Sequence, residues 1–138
     1  MKNLYLLLLL IPFLASCQTD DLFCGDVNTK TSLKEVNLIA FGSCANQNNP
    51  QPVLTKVNER HPDVFCWLGD NIYADTKNMK LMRKKYSKLG CKAEFRELNK
   101  ETHFLAVWDD HDYGKNDAGK EYPMKEESKN IFLDFYNS

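Results

Sequence analysis

The sequence predicts an α/β fold built on a mostly parallel sheet, and two features of the chain support this expectation. Short apolar runs occur at 36–41, 64–68 and 103–108, and such runs are typical of strands buried on both faces. Segments with apolar side chains at helical spacing separate these runs. Alternation of strands with helices favours parallel strands that are joined by helical crossovers.

The first sixteen residues predict a signal peptide rather than part of this fold. Lys2 supplies a positive charge, and the apolar stretch 4–14 is too short to span a bilayer comfortably. Small residues then lead into Cys17, an ending that is similar to the bacterial lipobox, in which the cysteine is lipidated. We therefore expect residues 1–16 to be a lipoprotein signal peptide. An ordinary signal peptide followed by an incidental cysteine is the alternative.

This leader predicts an exported bacterial lipoprotein, periplasmic or on the cell surface, whose membrane contact is the lipid on Cys17 alone. Residues 17–34 are predicted to be a tether, and residues 35–138 are long enough for one small domain. The formal net charge of the whole sequence is −1, so no basic surface for nucleic acid is expected.

Four cysteines follow Cys17, and an exported protein permits disulfides among them. Their spacing does not reveal a pairing, although Cys24 and Cys91 are able to form one. Cys66 lies inside an apolar run, so we expect it to be a small buried hydrophobic residue.

Helices are predicted where apolar side chains recur every three or four residues. Four segments have this spacing, and they are 52–60, 76–90, 93–100 and 125–136. Pro62 follows the first of them and Gly90 ends the second, and both residue types commonly terminate helices.

Polar residues follow the end of each predicted strand: Cys44 the first, Asp70 the second, and Asp110 with His111 the third. Parallel strands place these ends along one edge, where ligands bind in open α/β sheets. Carboxylates with an imidazole suit a hard or borderline metal, and a thiolate suits iron or zinc. Tyr73 offers either a phenolate for ferric iron or a ring for packing. Each of the other residues also has a structural alternative. Cys44 would be a buried thiol, Asp70 a turn aspartate, and Asp110 with His111 part of a solvated acidic loop.

Three segments resemble the motifs of the alkaline phosphatase D family, which belongs to the calcineurin-like metallophosphoesterase superfamily. They are FGSC at 41–44, LGDNIYAD at 68–75 and WDDHDYGKND at 108–117, and they occur in the order of that family. The resemblance covers roughly residues 37–135. It implies the front half of a calcineurin-like α/β sandwich with a multinuclear metal site at the strand ends.

The resemblance also implies a set of metal ligands. Cys44 and Tyr73 would bind iron, and Asp70 would bridge the iron to a second cation. Asp110 takes the place of a metal-binding asparagine in the superfamily, and Asn116 would offer an amide oxygen to calcium. Iron and calcium are therefore the implied cofactors, with another divalent metal as the alternative.

The implied activity is the hydrolysis of a phosphate ester by a metal-bound hydroxide. His111 would stabilise or protonate the leaving oxygen, as a general acid does. Asp109 and Asp112 are expected to contact the metal ligands or to hold the turn, with a direct bond from either of them to a cation as the alternative. The residues leave open whether the substrate is a monoester or a diester.

The family also has a second half, with a further layer of strands and a later Asp/His group, that this sequence lacks. We therefore expect an N-terminal fragment of a longer enzyme, or a truncated relative with weak or no activity. A non-catalytic lipoprotein that retains a metal-binding or interaction half-domain is the alternative. Either form would expose a face or edge of the sheet and favour association through it.

Overall fold

Strands and helices alternate along the part of the chain that the computed structural model describes, which is Val27 and residues 35–137. In chain order the elements are β1 (Ile39–Gly42), α1 (Pro52–Asn58), β2 (Val64–Leu68), α2 (Met79–Gly90), α3 (Ala93–Glu101), β3 (His103–Val107), α4 (Asp110–Tyr113) and α5 (Lys125–Tyr136). The predicted signal peptide, the lipidation site at Cys17 and nearly all of the tether lie outside the described residues.

The three strands form one parallel sheet in the order β1-β2-β3. Ile39 pairs with Val64, and Val64 pairs in turn with His103, so the strands start in register. Their carboxyl ends therefore lie along one edge. The predicted α/β class and its parallel sheet are confirmed.

The first strand starts later than the sequence predicts, at Ile39 rather than Val36. The carboxylate of Asp63 explains the difference, because its Oδ2 accepts from the backbone N–H groups of Asn37 at 2.8 Å and Leu38 at 2.9 Å. These N–H groups are thus bound by a side chain, and the ladder begins only beyond them.

The helices follow the predicted segments closely. The bounds of α5 coincide with the predicted 125–136, and α1 and α3 differ from prediction by one or two residues at their carboxyl ends. The helix α2 begins at Met79 instead of Thr76, because the Asn78 side chain caps it by accepting from the Leu81 N–H at 3.2 Å.

The core lies between one face of the sheet and the helices. Trp67 on β2 packs against Phe65 with ring centroids 4.8 Å apart and against Phe95 of α3 at 5.5 Å. Phe95 in turn lies 5.8 Å from Phe135 of α5, so aromatic side chains run continuously from the sheet to the last helix. Such ring pairs stabilise the fold by about 0.5–1.5 kcal/mol each beyond the area that they bury.

The opposite face of the sheet is open, which corrects the expectation that the strands are buried on both faces. Its exposed apolar side chains within the described residues are Ile39, Phe41, Leu68, Leu105 and Val107. We call the surface that they form the open sheet face. Side chains alternate across a strand, and the described helices cover only the face that carries Trp67. Cys66 lies between Phe41 and Leu105 in this register and is half-buried, not buried as expected.

Two further expectations concern cysteines and membranes. Cys91 is disulfide-bonded, whereas Cys24 lies outside the described residues, so the suggested pairing of these two stays a prediction. Cys44 and Cys66 are free thiols. Among the described helices, none combines the length and the apolar character needed to cross a bilayer.

Candidate metal centre

Three loops meet at the carboxyl edge of the sheet because backbone hydrogen bonds join them. The N–H of Cys44 donates to the Gly69 carbonyl at 3.2 Å, and that of Ala45 donates to the Asp70 carbonyl at 2.9 Å. From the second loop, the N–H of Ala74 donates to the carbonyl of His111 at 3.2 Å. These bonds bring the polar residues that follow β1, β2 and β3 to one place, as the sequence predicts.

Gly69 permits the close approach of β2 to the acidic turn. Its φ of +96° lies in the left-handed region, and a Cβ on it would lie 2.7 Å from the Cβ of Asp109. The backbone has positive φ at three other residues of the site, namely Cys44 (60°), Asp70 (50°) and Asp75 (42°). Each such residue costs on the order of 1–3 kcal/mol, and strain of this kind concentrates at functional sites.

The acidic turn after β3 is the short helix α4, where the sequence predicts a loop. Asp109 and Asp112 form a capping box around its first turn, and the Oδ2 of Asp112 accepts from the Asp109 N–H at 3.1 Å. The Asp109 Oδ1 accepts from the Asp110 N–H at 2.9 Å. Both side chains therefore hold the turn that presents Asp110 and His111.

Asp112 also binds the turn to the loop after β2. Its buried carboxylate accepts from the N–H groups of Asn71 at 3.1 Å and Ile72 at 3.0 Å, and from the Tyr86 hydroxyl at 3.2 Å. Burial raises the pKa of Asp112 to about 7, while the N–H donors favour its ionised form. Asp112 thus connects, through hydrogen bonds, the two loops that carry the candidate ligands Asp70, Asp110 and His111.

Asp70, Asp110 and His111 form the centre of the site. Each offers one ligand atom, and these atoms lie within 4.8 Å of one another. The Cys44 thiol adjoins them, with its Sγ 3.7 Å from the Asp70 Oδ2. Hydrogen bonds from the N–H groups of Asp117 and His111 hold the pKa of Asp110 below its usual range, so this carboxylate is ionised at neutral pH.

An unpartnered atom indicates that these residues fit a cation. The Oδ1 of Asp70 is buried and has no hydrogen-bond partner among the described residues. A buried carboxylate oxygen without a donor is costly, and a metal ion at this point would remove the cost. Carboxylates, an imidazole and a thiol are together suitable donors for a transition metal or a harder divalent cation.

Tyr73 lies against the same centre. Its ring centroid is 4.3 Å from that of His111. Burial and, to a smaller extent, the neighbouring Cys44 and Asp70 together raise the pKa of the Tyr73 phenol to about 12. The side chain of Gln47 fixes the backbone here, because it accepts from the Tyr73 N–H at 2.8 Å and donates to its carbonyl at 3.2 Å.

Asp75 is a site residue to which the sequence pattern assigns no role. Its Oδ1 lies 2.9 Å from the Nδ1 of His111, whose side chain is only 14% exposed. A carboxylate acceptor at this distance favours the tautomer with a proton on Nδ1. The signal in the sequence is that Asp75 is the last residue of the LGDNIYAD segment, five residues after Asp70.

Asn116 lies beside this pair. Its backbone N–H donates to the Asp75 Oδ1 at 3.1 Å, and its side-chain amide donates to Asp117. The N–H of Asp117 donates in turn to the Oδ2 of Asp110. The structure thus places Asn116 in the hydrogen-bonded chain around Asp110, and its predicted bond to calcium stays a prediction.

Comparison of the chain with models of protein families, with curated proteins and with solved structures finds no match. The resemblance to the alkaline phosphatase D family therefore rests on the three motifs alone.

Proposed function

We propose that the protein hydrolyses phosphate esters with the help of bound metal ions. The observation that carries this proposal is the convergence of the Asp70, Asp110 and His111 ligand atoms within 4.8 Å, beside a buried Asp70 oxygen that lacks a partner. The likeness of the motifs to those of a metallophosphoesterase family supports the choice of reaction. An imidazole beside carboxylates also supplies both a proton donor and anchors for cations.

In this proposal Asp70 and Asp110 would hold the cations. Cys44 and Tyr73 would bind iron, and the carboxylates would also serve calcium or another divalent ion. Bound cations supply polarisation of the phosphoryl oxygens and a lowered pKa for water at the site. The capping box on α4 and the bonds of Asp112 keep Asp110 and His111 in position for these ions.

His111 donates a proton to the leaving oxygen in this proposal. Its Nδ1 is engaged by Asp75 at 2.9 Å, which leaves Nε2 as the nitrogen that faces the substrate. The carboxylate of Asp75 stabilises the charged imidazole and keeps the ring in one orientation. The protein thus supplies the general acid and its orientation, whichever metal is bound.

We also propose that the sheet is the front half of a calcineurin-like α/β sandwich. The parallel order of the strands, the polar residues at their carboxyl ends and the open sheet face support this assignment. Aligned sheets pack about 10 Å apart through such apolar faces.

The test measures hydrolysis of a chromogenic phosphate ester by the full chain with added iron and calcium, together with metal binding by calorimetry. We expect metal-dependent turnover, and we expect the substitution Asp70→Asn to abolish both turnover and tight metal binding. Asp134→Asn is the matched control, because Asp134 is exposed on α5 and, within the described part of the chain, pairs with Arg83 at the surface. Activity that survives in Asp70→Asn would contradict the assignment.

The open sheet face favours a second candidate function, a metal-binding or interaction half-domain without catalysis. The same experiment separates the two functions. Metal binding that depends on Asp70 without any turnover would favour the second candidate. Export and lipid anchoring at Cys17 stay predictions from the sequence in both cases.

A further inference from the structure

Cys91 is disulfide-bonded, and only two cysteines of the chain are able to be its partner. The sequence contains five cysteines, and Cys44 and Cys66 are free thiols. Cys17 and Cys24 therefore remain, and both lie outside the described residues. The contacts of the described residues on either side of the bond distinguish between these two candidates.

Val27 is held against the last helix, three residues after Cys24. It is only 4% exposed and belongs to the hydrophobic core. Its N–H donates to the Phe135 carbonyl at 3.3 Å, and its carbonyl accepts from the side-chain amide of Asn137. Asn137 follows α5 with a φ of 52°, the left-handed conformation that commonly ends helices. The chain just after Cys24 is therefore fixed at the carboxyl end of α5.

The carboxyl end of α5 packs against α2, and Cys91 directly follows α2. The ring of Phe135 lies 4.9 Å from that of Tyr86 on α2, and both rings share one buried cluster with Val27. Cys91 comes five residues after Tyr86, which is about 8 Å along a helix axis. It is exposed, and its N–H donates to the Ser87 carbonyl at 2.8 Å. Val27 and Cys91 thus adjoin the same pair of packed helices.

Cys24 is able to reach Cys91 from this position. The three residues from Cys24 to Val27 span at most about 10 Å, and a disulfide joins cysteines whose Cα atoms are about 4.4–6.8 Å apart. Cys17 lies ten residues before Val27, so the bonds of Val27 constrain it far less. Cys17 is also the predicted lipidation site, and a sulfur in a thioether to lipid does not form a disulfide. These constraints favour Cys24.

We infer that Cys24 and Cys91 form a disulfide, which fastens the segment before the domain to the packed ends of α2 and α5. The inference goes beyond the proposed function and does not depend on it. Two S–H bonds break and one S–S bond forms. The two electrons and two protons pass, through a mixed disulfide, to a disulfide-bonded oxidant that leaves as a dithiol. The predicted export of the chain would bring it to a compartment where such oxidants act.

The bond has consequences for stability, for attachment and for the candidate metal centre. The two cysteines are 67 residues apart, and closing so long a loop stabilises a small domain by restricting the unfolded chain. The seven residues from Cys17 to Cys24 span at most about 25 Å, so a lipid on Cys17 would keep the ends of α2 and α5 within that distance of the membrane. The same pairing leaves Cys44, a candidate iron ligand, as a free thiol.

The first test maps the bond by mass spectrometry in the full chain, kept in a buffer of reduced and oxidised glutathione. Free thiols are blocked with iodoacetamide, and the chain is cleaved before each aspartate without reduction. Aspartates separate all five cysteines, so each cysteine is on its own fragment, with Cys24 on 21–25 and Cys91 on 75–108.

We expect fragment 21–25 to be joined to fragment 75–108, and the fragments that carry Cys44 and Cys66 to be joined to no other fragment. Fragment 75–108 joined to the fragment that carries Cys17 would overturn the inference. So would a Cys91 that is alkylated by iodoacetamide.

The second test measures thermal unfolding with and without dithiothreitol. We expect Cys24→Ser and Cys91→Ser each to lower Tm by about 10 °C, and the double variant to lower it no further, because the same bond is lost in all three. Dithiothreitol should lower the Tm of the wild type by a similar amount and leave the Tm of these variants unchanged. Cys17→Ser is the matched control and should unfold like the wild type.

A wild type whose Tm does not respond to dithiothreitol would overturn the inference, as would a Cys17→Ser variant that loses as much stability as Cys24→Ser. If Cys91→Ser does not fold, the fragment map of the wild type still decides the pairing, since it needs no substitution. Neither measurement involves turnover, so failure of this inference and failure of the proposed hydrolase are separate outcomes.

Discussion

The Nδ1 of His111 lies 2.9 Å from the Oδ1 of Asp75, which joins a residue of the acidic turn to a residue of the loop after β2. The same Oδ1 accepts from the Asn116 N–H at 3.1 Å, so Asp75 fixes both the imidazole and the turn that follows it. Asp75 is therefore a positioning residue in the proposed mechanism, because it acts through His111.

The substitution Asp75→Asn tests this role. An amide is a weaker acceptor than a carboxylate and does not stabilise a charged imidazole, so we expect kcat to fall about tenfold to a hundredfold. Metal affinity should stay near that of the wild type, since Asp75 is not in the cluster of Asp70, Asp110 and His111. The ¹⁵N shifts of the His111 ring should report a lower population of the Nδ1–H tautomer. A fall in kcat without any change in these shifts would contradict the positioning role.

Gly69 gives a second prediction, because its backbone lies against Asp109. In Gly69→Ala the new Cβ would meet the Asp109 Cβ at 2.7 Å, and the φ of +96° is strained for alanine. We expect the free energy of unfolding to fall by about 1–3 kcal/mol. Metal binding should also weaken, because the contact aligns Asp70 with the acidic turn.

Gly119→Ala is the control for that measurement by urea denaturation. A Cβ at Gly119 would meet only the flexible Glu121 carboxylate, at 3.1 Å, and its φ is not in the left-handed region. The control should therefore change stability much less than Gly69→Ala does. Equal losses in the two variants would show that the approach of Gly69 to Asp109 has no special role.

Much of the fold could be predicted because it depends on local patterns. The helix α5 begins and ends where the spacing of Ile131, Phe132 and Phe135 indicates, since these side chains cover one helical face. The convergence of Cys44, Asp70 and Asp110 could also be predicted, because parallel strands bring their carboxyl ends to one edge.

Two features depend on the folded chain and have no local signal. Asp75 reaches His111, 36 residues away, through a loop that turns back with a φ of 42° at Asp75 itself. The exposure of Phe41 depends on which elements cover the sheet, and an apolar run reads alike whether one or both of its faces are buried.

The link between Asp63 and the start of β1 gives a pH-dependent prediction. Hydrogen bonds from the backbone N–H groups of Leu38 and Asn37 lower the pKa of Asp63 in the folded protein. A lowered folded-state pKa means that the carboxylate contributes stability above its unfolded pKa of about 3.9 and loses that contribution as the pH falls through the folded value. The wild type should therefore have a higher Tm than Asp63→Asn at pH 7, with a gap that narrows below about pH 4.

Thermal unfolding of both proteins between neutral and acidic pH measures this gap. Asparagine retains one oxygen acceptor but no charge, so the comparison isolates the ionised form of the carboxylate. A gap that stays constant across the pH range would show that the charge of Asp63 does not stabilise the start of β1.

The open sheet face gives the last prediction, because Phe41 and Phe65 have opposite environments on neighbouring strands. Phe41 is 72% exposed, whereas Phe65 is 2% exposed and packs against Trp67. Phe65→Ala should lower the free energy of unfolding by about 3–5 kcal/mol, as large-to-small core substitutions do. Phe41→Ala should change it by about 0.5 kcal/mol or less, as is usual at the surface.

Association between molecules should depend on Phe41, the side chain whose replacement barely changes stability. Exposed apolar patches promote contacts between molecules, so Phe41→Ala should lower the concentration-dependent mass measured by sedimentation while the fold stays intact. It should also reduce the binding of a hydrophobic dye, because Phe41 is the most exposed side chain of the open sheet face. If Phe41→Ala instead destabilises the protein as strongly as Phe65→Ala does, the side chain is buried in solution. The open sheet face would then be covered, and association through it would no longer be expected.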